Sequence, residues 1–284
     1  MSATDITLRE VSSGQISPRV KNPPKQGSKG ISVPFVYTPS DDGTDENLLI
    51  LLHGLGDTHI PFGRLGKQLK LPQTATLAIR APEQIPFLYE QAFQWYTSFD
   101  PLGELISRPN PTPALDLLSS IMTHLIDPTQ CAWPPERIHI LGFAQGGSVA
   151  VEFGLSWWKS ELEKQRKSID TQSSDTPSYV PKALGSIVTM AGPLLSYPTL
   201  QTPCPTPLLV LHRPSPSSSS LPADAMASFR KGFAQVTGTN IGQGEGMPRS
   251  RAEMEPLMRF WSSHLSRRQV EGLYQVMSGG PTIS

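Results

Sequence analysis

The stretch Ile140-Leu141-Gly142-Phe143-Ala144-Gln145-Gly146-Gly147 restricts the folding of this chain more than any other. An apolar lead-in runs into a cluster of glycines, and Val149 to Trp157 continues with helical character. Where a strand turns sharply into a helix, the backbones approach too closely for a Cβ, and the residue at the apex is strained. The stretch therefore predicts a strand, a tight turn and a helix, with Ala144 at the apex.

The rest of the chain agrees with that unit. Leu48-Leu49-Ile50-Leu51-Leu52 is an unbroken apolar run bounded by turn residues, the pattern of a strand covered on both faces. Further strands are expected at Thr76–Ile79, Arg137–Leu141, Leu184–Met190 and Pro207–Leu211, with an edge strand at Ile31–Thr38 because of Pro34. Leu115, Leu118, Ile121, Met122 and Leu125 share one helical face, as do Met254, Leu257, Met258, Trp261 and Leu265. Strands alternating with helices predict an α/β class fold, a mostly parallel central sheet flanked by helices. At 284 residues the chain is long enough for one such domain, expected over 31–268. Residues 1–30 read as a flexible basic arm and 269–284 as a C-terminal tail. Residues 159–182 and 213–222 read as insert-like loops, the first beginning as a charged helical extension and the second a Ser/Pro-rich stretch unable to form a core.

Composition excludes several function classes. Lys+Arg and Asp+Glu are 24 each, so no positive field favours nucleic acid. No run of about 18 apolar residues predicts a membrane span. Two cysteines, Cys131 and Cys204, do not make a disulfide framework, and a cytoplasmic location is the expectation. Neither a cofactor motif nor a metal-ligand cluster is present in the sequence.

The apex turn is the geometry of a nucleophile elbow, G-x-S-x-G, with Ala144 where the serine would stand. Directly after the first buried run comes His53-Gly54-Leu55-Gly56-Asp57, then Trp95-Tyr96. These three motifs, in this order, closely resemble the phospholipase/carboxylesterase family of α/β-hydrolases, which includes acyl-protein thioesterases and shows H-G-L-G-D, W-[FY] and G-F-S-Q-G-G. The resemblance extends over about residues 46–266 and implies the α/β-hydrolase fold and carboxylic ester or thioester hydrolysis. It also implies an oxyanion hole from the backbone amides of Leu55 and Gln145, with His53, Gly54, Trp95 and Tyr96 as pocket candidates.

The departures from that family decide what to expect of function. The family acid follows the next-to-last strand, but here Val210-Leu211-His212 runs into Arg213-Pro214-Ser215-Pro216 and the acid position is empty; Asp224 comes later. The family histidine lies in a G-M-x-H-S segment, which here reads Gly246-Met247-Pro248-Arg249-Ser250. The preceding Thr237 to Glu245 is polar and glycine-rich, so the final strand is expected to be degraded or missing. The catalytic triad is thus expected to be lost, leaving a pseudoenzyme that binds an acyl, lipid or small carboxylate ligand, or a protein partner. Two alternatives stay open. One is an active hydrolase that combines Ser148 or Cys131 with His212 or His264. The other is a structural subunit of a complex.

Overall fold

The computed structural model describes residues 6–9, 20–28, 30–86, 91–170, 179–268 and 275–278. Its strands are β1 (Ile6–Arg9), β2 (Phe35–Thr38), β3 (Asn47–Leu52), β4 (Thr74–Ile79), β5 (Glu83–Gln84), β6 (Phe93–Gln94), β7 (Ile138–Phe143), β8 (Ser186–Met190), β9 (Leu208–His212), β10 (Val236–Asn240) and β11 (Gln275–Ser278). The helices are α1 (His59–Leu69), α2 (Thr112–Ile126), α3 (Gln145–Asp170), α4 (Ala225–Gly232) and α5 (Arg251–His264). Seven strands form one sheet in the order β10-β9-β8-β7-β3-β4-β2, and every pairing is parallel except that of β2 with β4.

Strand alternation explains why β3 is apolar throughout. Leu48, Ile50 and Leu52 point into a core shared with α2, α3 and α4, while Leu49 and Leu51 point into a second core with α1 and α5. β2 lies at the sheet edge, and Pro34 immediately precedes it, where a missing N–H leaves the ladder intact.

Three expectations need correction. The final strand is present: β10 pairs in parallel with β9 from Val236 to Asn240. Its polar sequence reflects its place at the sheet edge, where most of its residues are exposed. Residues 159–170 continue α3, in line with the charged helical extension expected there. The far end of that segment returns to it, because the buried Glu161 carboxylate accepts from the Tyr179 hydroxyl at 2.6 Å and the Lys182 N–H at 2.9 Å; residues 171–178 lie outside the described residues. Residues 213–222 are tied down as well. Ser217 and Ser219 are buried, and Ser217 and Ser218 both donate to Glu245.

The described end of the arm is docked. The Lys21 ammonium donates to the Ala132 carbonyl at 2.7 Å, the Lys25 N–H donates to His124 at 3.2 Å, and Ile31, just beyond the arm, is fully buried. β1 and β11 pair antiparallel, joining the arm to the tail; the remainder of both falls outside the described residues.

Candidate active site

β7 delivers the chain to Ala144, whose φ is +47°, in the left-handed region that L-residues rarely occupy. The conformation is held by the Ala144 N–H donating to Met190 O at 2.8 Å and by the Ser148 N–H donating to Ala144 O at 3.0 Å. The glycines around it are required by distance. A Cβ on Gly142 would stand 2.1 Å from the Gly146 carbonyl oxygen. One on Gly146 would stand 2.4 and 2.5 Å from the carbonyl oxygens of Leu52 and His53, and one on Gly147 2.6 Å from Thr189 Oγ1. The elbow is therefore built as predicted, with a methyl group at its apex.

The loop after β3 faces this turn. His53 is fully buried; Nε2 accepts the Ala81 N–H at 3.0 Å, so Nδ1 carries the proton and donates to Gly54 O at 2.7 Å. Burial holds its pKa below the usual histidine value, and the ring stays neutral. The Trp95 indole N–H donates to His53 O at 2.8 Å. Gln145 closes the arrangement: its side-chain oxygen accepts the Trp95 N–H at 2.9 Å, and its amide donates to Tyr96 O at 2.8 Å and Ser98 Oγ at 2.7 Å. His53, Gly54, Trp95 and Tyr96 are all buried. Their polar links make them a support behind the elbow. The backbone N–H groups of Leu55 and Gln145 have no acceptor among the described residues.

On the other side of the elbow, the loop after β9 carries Arg213, which is 2% exposed. Its guanidinium donates to the carbonyls of Gly246, Gly242, Gln243 and Met247 at 3.1 to 3.3 Å and to the Glu253 carboxylate at 2.9 Å. Glu253 also accepts the N–H groups of Arg249 and Ser250 and completes a capping box at the start of α5. The Arg213 guanidinium is the main reason its carboxyl sits down at about 2, with the two backbone N–H groups adding to it. Arg249, at the family's histidine position, is exposed and meets this network only through its backbone. The S-x-x-E signature of Ser250 and Glu253 was readable in the sequence; the role of Arg213 had no local signal.

The alternative nucleophiles are not placed for attack. Ser148 is 1% and Cys131 2% exposed, and burial pushes the Cys131 thiol pKa up. His264 donates to Phe260 O at 2.7 Å and stacks on that ring, and Asp224 is exposed just before α4. Among the described residues, no hydrogen bond joins Ser148 or Cys131 to His212 or His264. A groove of about 530 Å³ lies between β9, β10 and α5, lined by Leu209, Pro256, Phe260 and His264 among others, and Ala144 is not part of it.

The sequence model of the phospholipase/carboxylesterase family matches residues 34–162. An uncharacterized hydrolase of Mycosarcoma maydis is 36% identical over 241 residues, covering 82% of each chain. This chain belongs to the phospholipase/carboxylesterase family. A second uncharacterized hydrolase, from Schizosaccharomyces pombe, is 32% identical over 117 residues, 39% of this chain and 47% of its own. Among solved structures, esterase PE8 superposes with a TM-score of 0.62 at 16% identity, covering 87% of this chain and 100% of its own. Acyl-protein thioesterase 2 of Zea mays superposes with a TM-score of 0.59 at 17% identity, covering 82% and 100%. At these identities, the two structures bear on the fold alone. A phospholipase/carboxylesterase fold therefore surrounds an elbow that carries alanine.

Proposed function

We propose that this protein is a phospholipase/carboxylesterase family member without ester-hydrolase chemistry, which uses the retained amide site to bind an acyl or small carboxylate ligand. The observation that carries the reading is Ala144 at φ +47°, a strained apex preserved without a hydroxyl. Removing the nucleophile of a triad lowers the rate by about 10⁶, and the losses of members that act together do not add. The residual acceleration of roughly 10³ to 10⁴ over water comes from the oxyanion hole and binding. The unpaired amides of Leu55 and Gln145 support a remaining affinity for a carboxylate or carbonyl oxygen. Arg213, clamped onto carbonyl groups, supports a loop built for another purpose than holding a histidine. Two buried, unpaired cysteines fit a reducing, cytoplasmic location.

The test is hydrolysis of p-nitrophenyl butyrate and a palmitoyl thioester by the wild type and Ala144→Ser, beside an active family member. Both proteins are expected to remain at background. Wild-type turnover near that of the active enzyme would refute the proposal and require an unrecognised nucleophile to be mapped.

A further inference from the structure

We propose that Arg80 and His59 form an anion-binding patch beside the loop after β3, and that this patch recognises a carboxylate on the ligand. The inference rests on the binding reading above and names the chemistry of what is bound. Arg80 is the first residue beyond β4, at the carboxyl end of the sheet, where ligands of open α/β folds bind. Ala78, two residues earlier, packs in the core that contains Phe62 of α1, and strand alternation sends Arg80 to the same side. Its guanidinium lies over the Phe93 ring, 4.3 Å from the centroid.

Phe93 is in turn fastened to the loop: the Gly56 N–H donates to Phe93 O at 3.0 Å, and the Phe93 N–H donates to Asp57 O at 3.3 Å. The cation is thereby fixed beside residues 54–57. His59 opens α1 nearby, and burial followed by the Arg80 charge keeps its ring neutral. Neither side chain has an acidic partner among the described residues, where the ion pairs involve Glu161, Glu253 and Glu255. Asp57, two residues before His59, accepts the Thr58 N–H at 2.7 Å, and Glu83, three residues after Arg80, accepts the Gln94 side-chain amide at 3.2 Å.

Arg80 Nε and His59 Nδ1 are both buried without a hydrogen-bond partner. Unsatisfied buried polar atoms of this kind are uncommon, and an anion held here would satisfy both. A planar guanidinium matches a carboxylate, and the positive end of α1 favours the same charge. Leu55, whose N–H has no acceptor among the described residues, directly precedes Gly56, which is bonded to the Phe93 backbone beneath Arg80.

Isothermal titration of the full chain at pH 7 with hexanoate, hexanol and inorganic phosphate tests the site. Hexanoate is expected to bind and hexanol is not. Arg80→Met keeps an apolar stem against Phe93 and is expected to weaken hexanoate by about tenfold or more, the loss of a charge-assisted pair. His59→Gln is expected to weaken it less. A urea unfolding midpoint near that of the wild type shows that either variant is folded. Unchanged hexanoate affinity in folded Arg80→Met would overturn the site, and so would binding of phosphate in place of hexanoate. Ester turnover by the wild type, alongside lost hexanoate binding in Arg80→Met, would remove the inactive-enzyme reading and leave this site standing.

Discussion

Replacing Arg213 tests the idea that a guanidinium clamp organises the loop that bears the histidine elsewhere in the family. Arg213→Met removes five hydrogen bonds, four to carbonyls of residues 242–247 and one to Glu253. Hydrogen bonds to charged groups contribute roughly 1.5–3 kcal/mol each where they are made, but the sum is not recoverable. Gly242 and Gln243 are exposed, so their carbonyls regain water once released. The desolvation of the buried guanidinium, several kcal/mol, is also relieved, and methionine refills part of the space. The net destabilisation is therefore about 2–3 kcal/mol. Arg213→Lys recovers less than half of it, because a point charge cannot reach four carbonyls in a plane. Urea unfolding measures the loss, and amide hydrogen exchange locates it in residues 242–250. A Met variant within about 0.5 kcal/mol of wild type, with exchange there unchanged, would show that the clamp is not what orders the loop.

Three further outcomes are expected. Ala144→Gly removes the left-handed strain and raises stability by about 1 kcal/mol in thermal unfolding; a lower midpoint would contradict the strain argument. Gly146→Ala places a methyl against two backbone oxygens and loses about 3 kcal/mol or more, read as loss of soluble, folded protein; a wild-type circular dichroism melt would refute it. His139, 1% exposed, has its pKa pushed down to about 3 by burial. Below the ordinary histidine value of about 6.5 the unfolded chain takes up a proton that the folded chain refuses, so its contribution is full above that pH and lost as pH falls toward 3. Unfolding free energy is expected to drop by about 2 kcal/mol more between pH 7 and pH 5 in wild type than in His139→Gln, and equal drops would remove the assignment.

The inner strands were legible because burial on both faces forces an apolar run, and β3 and β7 are buried along nearly their whole length. β10 was misread for the converse reason: an edge strand facing solvent has no need of apolar residues, and Val-Thr-Gly-Thr-Asn looks like a loop. The Ser/Pro-rich segment was misread because its order comes from Glu245 and from Arg213, through partners about thirty residues away. No local pattern encodes such pairings. The elbow, in contrast, was readable down to the apex residue, since its glycines answer to steric demands set within a few residues and by the two neighbouring strands, β3 and β8.

That steric answer has a consequence for how such sequences are sorted. Gly142, Gly146 and Gly147 are joints at which α3 is seated against β3, β7 and β8, and each would be required by the architecture if nothing were ever hydrolysed. A signature composed of these glycines therefore reports the carpentry of the sheet. Only the residue between them, together with the two loops that should present its partners, reports the trade practised on it.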